Sequence, residues 1–487
     1  MNDLVFRTAT ELADLIRKRN VSAQEVVRAH LDQIEKHNPR LNAVVTLDAE
    51  EALRRASDAD RSLAAGHLWG PLHGVPVTIK DAFETKGLRT TSSYRPLSNY
   101  LPDEDAPVVA RLRAAGAIIL GKTNMPELAM DFQSNSPLFG PARNPWDLQR
   151  TPGGSTGGGA AAVAAGLSPL EIGSDLGGSI RIPSHFCGVF GYKPTEHLVP
   201  STGHIPEIPG QIRAVRHMEV CGPIARSIED LKNVLPLLAG PDGKDWEVPP
   251  LPLHPEAVPP FQGLRIAWID DFGGVPVCRE AREALAELAE RLSAAGCRVE
   301  RGSPESFAFE DAWETYGRIV GAEMGINFPA GRRTASRLFG QVLFRRVPLY
   351  RAIIRGVTLQ LGRYLAALAK RDALISALDR FLACRDAWLC PVSATPAFTH
   401  RTSGTTKVAE PLEVDGRRVE YYTANMSYTT PFNLTGNPVV VLPLTRSEQG
   451  LPIGIQVVGR RWRDMRLLAV ATRLTELTGP FERPPGF

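Results

Sequence analysis

Apolar residues recur at two different periods along the chain, and the period separates helix from strand. Near the N-terminus, Thr8-x-x-Glu11 and Ser22-x-x-Glu25 each place a hydroxyl three residues ahead of a carboxylate. That spacing lets the two side chains satisfy the free N–H groups of a helix's first turn. Behind the second pair, Val26, Val27, His30, Leu31 and Ile34 share one helical face. The first 65 residues therefore read as a helical segment. After a turn at Gly70-Pro71 comes the apolar run Val75-Pro76-Val77-Thr78-Ile79, which predicts a buried strand ending at Lys80-Asp81.

From Ala106 onward the rhythm is helix, glycine, short apolar strand. Ala117-Ile118-Ile119-Leu120 is one such strand, and Leu264 to Ile269 is another. Arg279 to Leu292 predicts a helix with Leu285, Leu288 and Leu292 on one face, followed by a strand at Cys297-Arg298-Val299. Pro438 to Leu442 and Gly454 to Val458 read as closing strands, and Met465 to Leu477 as a final helix. Alternation of this kind predicts βαβ units. The expected fold class is α/β: a central twisted sheet, largely parallel through its βαβ units and mixed overall, with helices on both faces.

Two stretches break the rhythm. Residues 249–260 hold six prolines and read as an extended surface connection. Residues 307–384 are helical in pattern and rich in arginine, with apolar positions at Leu338, Phe339, Val342, Leu343, Leu349, Ile353, Ile354, Leu359 and Leu361. They read as a helical cap on the sheet with a solvated basic face, and membrane-surface contact through that face is the competing reading. The division expected is one domain, 1–487. It comprises an N-terminal helical segment (1–65), a catalytic core (66–245), a helical elaboration (300–385), and closing strands and helix (386–487).

Composition narrows the partners. With 487 residues, 43% hydrophobic and 22% charged, the chain can bury a sizeable core. A formal net charge of +3 gives no reason to expect nucleic acid or an anionic membrane as the main partner. Charged residues interrupt the first twenty positions, unlike the core of a signal peptide. No run of eighteen apolar residues occurs, so a spanning helix is not expected. Cys187, Cys221, Cys278, Cys297, Cys384 and Cys390 form no C-x-x-C pair and no zinc spacing with histidine, and read as buried reduced thiols of a cytoplasmic protein.

The chemistry concentrates between Thr151 and Thr195. Two glycine–serine knots, Gly153-Gly154-Ser155-Thr156-Gly157-Gly158-Gly159 and Gly177-Gly178-Ser179, flank a small-residue helix at Ala160 to Leu167. Glycine at this density costs backbone entropy, about 0.5–1 kcal/mol per position in regular structure. A fold carries it where the backbone must approach a ligand or converge its N–H groups on one point, as an oxyanion requires. A phosphate loop is disfavoured because neither knot is followed by the required lysine. Gly153-Gly154-Ser155-Thr156-Gly157 satisfies the G-x-S-x-G elbow, but that fold needs a late histidine and the last one here is His400. A purely structural loop is the third alternative.

The segment Gly173-Ser174-Asp175-Leu176-Gly177-Gly178-Ser179-Ile180-Arg181-Ile182-Pro183, with Phe186-Cys187-Gly188 and Gly191-Tyr192-Lys193-Pro194-Thr195 behind it, resembles the amidase-signature family. Gly70 to Val77 leading into Lys80-Asp81 is similar to the family's lysine motif. Gly121 to Glu127, Asn144-Pro145-Trp146, Asn433 to Pro438 and Gly450 to Gln456 fit as well, so the likeness spans nearly the whole chain.

The resemblance implies an amidase that cleaves carboxamide C–N bonds through an acyl-enzyme and a Ser-cisSer-Lys triad. Ser179 would be the nucleophile, Ser155 the bridging serine on a cis Gly154–Ser155 bond, and Lys80 the base. Leu176, Gly177 and Gly178 would offer the oxyanion hole. Ala129, Met130, Phe132 and Ser174 would lie near the acyl pocket, with Asp175 and Arg181 in support.

A serine hydroxyl needs a base to become a nucleophile. Lysine serves only when neutral, a state that burial favours. No metal or organic cofactor is required. Aryl or alkyl amides are the expected substrates, with water as co-substrate, and esters and carbamates (urethanes) share the same acyl route. No obligatory membrane is expected, and a homodimer is compatible with the sequence. The family also contains the glutaminase subunit of a tRNA-dependent amidotransferase, which stands as the alternative. Ile182 occupies a position where that glutaminase is expected to carry glutamine. A membrane-peripheral binding protein is the alternative of another class.

Overall fold

The computed structural model describes residues 4–205, 208–335, 338, 348–404 and 409–487. Both predicted helix starts are present. Thr8 caps Ala9–Arg17 and Ser22 caps Ala23–Leu41, each with its glutamate reaching back to the cap N–H. The stretch after them is not all helix: Val44–Leu47 forms a strand, β1. Its four residues are too few for a period to show, and its place is fixed by antiparallel pairing to a later strand.

The central sheet has eleven strands among the described residues. After β1 they are β2 (Pro76–Lys80), β3 (Ile118–Thr123), β4 (Leu170–Asp175), β5 (Phe190–Lys193), β6 (Val220–Ala225), β7 (Arg265–Trp268), β8 (Arg298–Arg301), β9 (Ala387–Pro391), β10 (Val439–Arg446) and β11 (Pro452–Val458). Their spatial order is β1-β3-β2-β4-β6-β5-β10-β11-β9-β7-β8. The α/β class and the mixed sheet are as expected, but "largely parallel" is corrected. Parallel pairs occur only in β3-β2-β4 and β9-β7-β8, where helices make the crossovers. The middle of the sheet, from β4 through β6, β5, β10 and β11 to β9, is antiparallel throughout. Alternating helix and strand along the sequence does not reveal which distant strands become neighbours.

Two apolar cores lie against the sheet. One collects the N-terminal helices, the Gly157–Ala164 helix, the Arg279–Ala294 helix with Leu285, Leu288 and Leu292, and the Asp464–Thr478 helix. The other collects the helices Phe309–Gly325 and Leu361–Ala383 and the segment around Tyr421 to Leu434. The arginine-rich stretch is thus a cap, as expected, with Leu349 buried and Ile353 and Ile354 packed at its inner edge. Leu338 and Leu361 are exposed instead; Phe339, Val342 and Leu343 lie outside the described residues. Five cysteines are buried, but Cys384 is exposed at the end of its helix.

The cap's helices touch through glycine. A Cβ on Gly321 would come within 2.0 Å of the Ile353 carbonyl oxygen, and one on Gly317 within 2.6 Å of Ala352 Cβ. The Phe309–Gly325 and Pro348–Gly356 helices therefore pack backbone to backbone. Gly321→Ala is expected to force them apart and lower stability by about 1–3 kcal/mol, measured by urea unfolding. An unchanged midpoint would show that the contact bears no load.

Candidate active site

Parallel pairing of β2 with β4 brings two carboxyl ends to the same edge of the sheet, with Ile79 opposite Ile172. Lys80 ends β2, while Ser174 and Asp175 end β4. The open α/β sheet places binding crevices at such ends. Lys80 is wholly buried, and its Nζ donates to Ser155 Oγ at 2.7 Å and to Ser174 Oγ at 2.9 Å. Burial pushes the ammonium down from the ordinary lysine range to about 8, against the opposing pull of Glu219, Asp175 and Glu171. Burial also pushes the Glu171 carboxyl up to about 7, against hydrogen bonds from Thr123 and Thr78.

The first knot holds Ser155 by its backbone. The Gly154–Ser155 peptide is cis, as the resemblance implied. A side chain is excluded at Gly154, where a Cβ would sit 2.6 Å from the Asp131 carbonyl oxygen. Ser134 clasps the loop: its N–H and hydroxyl both donate to the Gly153 carbonyl at 3.0 Å, and its oxygen accepts from Gly157 N–H. The second knot is tied to the first by the Thr156 N–H, which donates to the Ser179 carbonyl at 3.1 Å. Ser179 is 7% exposed and faces the cavity; among the described residues its hydroxyl makes no side-chain hydrogen bond.

Asp175 and Arg181 shape this second knot. Their side chains are fully buried and meet at 2.8 Å. Asp175 also accepts from the N–H groups of Gly178 (2.8 Å) and Ile180 (3.1 Å) and from Asn433. Burial alone would raise the Asp175 carboxyl, but Arg181 and Asn433 outweigh it and hold it well below the usual range. Arg181 reaches on to Gln456 and the Thr429 carbonyl, which anchors the knot to β11. The expected oxyanion trio is corrected at one member. The Gly178 N–H already donates to the Asp175 carboxylate. Within residues 176–179, the N–H groups of Leu176, Gly177 and Ser179 have no acceptor among the described residues.

Ala129, Met130 and Phe132 line a cavity of about 200 Å³ that ends at Ser179. Its far wall comes from the cap: Tyr316, Val320, Met324, Phe328, Tyr350, Ile353, Ile354 and Val357. Ser174, expected at the acyl pocket, is corrected. It lies behind the lysine, 3% exposed, because β4 points it at Lys80 and away from the cavity. Sequence reading missed the cap residues, which lie far along the chain. It also missed His204 and Glu219: His204 Nε2 is 2.8 Å from Ser174 Oγ, and Glu219 Oε1 is 3.0 Å from His204 Nδ1.

Comparison with known proteins agrees with this architecture. The sequence matches the Amidase family over residues 25–468. The chain belongs to the amidase (amidase-signature) family. It is 35% identical to one subunit of the glutamyl-tRNA(Gln) amidotransferase of Moorella thermoacetica, across 99% of both chains. Among solved structures, a protein described as an amidase is 32% identical, covering 97% of this chain and all of its own, with a TM-score of 0.79. A bacterial aryl acylamidase of the amidase-signature family is 25% identical over 99% of both chains, with a TM-score of 0.83. The expectation that excluded nucleic acid rested on net charge alone, and relatives named for a tRNA remove that ground. Among the described residues, no helix is long and apolar enough to cross a membrane.

Arg181→Met removes one partner of a buried ion pair and leaves the Asp175 carboxylate uncompensated. It is expected to cost about 3–5 kcal/mol of folding stability, measured by chemical denaturation. A loss under ~1 kcal/mol would contradict the anchoring role.

Proposed function

We propose that this chain hydrolyses carboxamides of apolar aryl or alkyl acids, with Ser179 as nucleophile, Ser155 as proton relay and Lys80 as base. The observation that carries the substrate class is the lining of the cavity at Ser179. Beyond Met130, Phe132 and the cap's aliphatic and aromatic residues, its one ionisable acid is Asp131. That carboxylate is already engaged by the Phe132 N–H, the Tyr421 hydroxyl at 2.7 Å and the Ser403 hydroxyl. No Lys, Arg or His stands among the described lining residues. An apolar acyl chain is stabilised there by leaving water, whereas a free amino acid would lose hydration without gaining ion pairs.

The neutral amine of Lys80 draws the Ser155 proton as Ser155 takes that of Ser179, and Ser179 Oγ attacks the amide carbon. Backbone N–H groups at Leu176, Gly177 and Ser179 would stabilise the oxyanion. The proton returns through Ser155 to the departing nitrogen, and water clears the acyl-enzyme by the same relay. Esters and carbamates follow the same path with a different leaving group.

A second reading is favoured by a separate observation, the 35% identity over full length to a glutamyl-tRNA(Gln) amidotransferase component. On that reading the chain is a glutaminase working beside partner proteins on a tRNA-bound substrate. The buried Ile182, and a cavity whose carboxylate Asp131 is already hydrogen-bonded to Tyr421, weigh against it.

The test is a substrate panel with the chain alone. An anilide of an apolar acid is expected to exceed glutamine in kcat/KM by at least about 100-fold. Glutaminase activity that appears only with partner proteins would decide for the second reading. Ser179→Ala is expected to lose on the order of 10³-fold or more in kcat on the anilide, and parental activity would overturn the triad. The base must be unprotonated, so kcat/KM is expected to rise with pH through an apparent value near 8, falling about tenfold per unit below it. A flat profile from pH 5 to 9 would contradict Lys80 as base.

A further inference from the structure

Lys80 must do more than lose a proton: its one lone pair has to face Ser155. The amine touches two hydroxyls, Ser155 at 2.7 Å and Ser174 at 2.9 Å. Each hydroxyl can donate as well as accept. If Ser174 donated its proton to the amine, it would occupy the lone pair that the relay requires.

The surroundings of Ser174 decide its direction. Ser174 is 3% exposed and His204 1% exposed, and the ring's Nε2 lies 2.8 Å from Ser174 Oγ. On the other side of the ring, Glu219 Oε1 lies 3.0 Å from Nδ1, outside regular hydrogen-bond geometry but next to the ring nitrogen. A carboxylate there favours the proton on Nδ1 and leaves Nε2 as an acceptor. The Phe83 ring packs on the imidazole at 4.8 Å between centroids and closes off water on that face.

We propose that His204 and Glu219 are positioning residues of this centre. Glu219 keeps the imidazole proton on Nδ1, Nε2 accepts the Ser174 hydroxyl, and Ser174 is thereby limited to accepting an N–H from Lys80. The lone pair of the amine is left for Ser155. The inference rests on Lys80 as the base, and it adds the polarity of the hydrogen-bond chain behind that base. The charged and titratable groups facing the amine are Glu171 and Asp175 from β4, Glu219, and Cys221 from β6. Those facing Glu219 include His204, Lys80 and Arg213.

The experiment is a double-mutant cycle with pH profiles on an anilide. His204→Leu frees the Ser174 hydroxyl to cap the lone pair, and is expected to lower kcat about tenfold or more with KM little changed. Adding Ser174→Ala removes the competing donor and is expected to restore part of that kcat, which a merely structural histidine would not allow. Glu219→Gln removes a negative charge near the amine and permits the reversed tautomer. Both effects lower the amine's hold on a proton, so the acid limb is expected to move to lower pH by about one unit. Additive losses in the cycle, or an unmoved acid limb in Glu219→Gln, would overturn the proposal. Lys80→Met separates the two readings. If it is inactive while the cycle is additive, only this inference fails; if it is fully active, the base assignment fails first.

Discussion

The structure depends on burying one lysine amine among hydroxyls. A buried ammonium loses hydration that two serine oxygens cannot replace, and Lys80 has no carboxylate in direct contact among the described residues. This environment shifts the balance toward the neutral amine, and a neutral amine is a base. Glu219, Asp175 and Glu171 stand near enough to moderate the effect without abolishing it. The same burial that would destabilise a charged side chain therefore prepares a proton acceptor close to physiological pH.

Placing hydroxyls around that amine requires the backbone to do unusual things, and the glycine knots and the Asp175–Arg181 pair make this possible. Asp175 draws in the N–H groups that turn the second knot, while Arg181 ties it to β11 and to the segment around Thr429. The cap adds the remaining element. Gly317 and Gly321 let two cap helices approach closely, and buried residues of those helices line the apolar cavity at Ser179. The far wall of the cavity is thus drawn from a part of the chain distant from the Ser155 and Ser179 knots.

That separation explains what could be read in advance. Lys80, Ser155, Ser179, Asp175 and Arg181 lie in short local motifs whose glycines mark them, and the structure brings them to one edge of the sheet. Helix starts at Thr8 and Ser22 were equally visible, since a capping box is a contact between residues three apart. The sheet's antiparallel middle was not, because pairing of β5 with β10 joins positions more than two hundred residues apart and leaves no local trace. His204 and Glu219 were missed for the same reason. Nothing near them in sequence distinguishes a histidine held behind a lysine from one packed in a core. Ser174 was misplaced because no strand was read at residues 170–175, so alternation could not show which way its side chain faces.

The central claim is that burial brings the Lys80 ammonium down to about 8, so that the neutral amine becomes available close to physiological pH. It is tested most directly by heteronuclear NMR of protein carrying ¹³Cε-labelled lysine, with the Lys80 resonance assigned by its loss in Lys80→Arg. A titration midpoint near 8 is the result predicted. A midpoint at the ordinary lysine value of about 10.4 would contradict it.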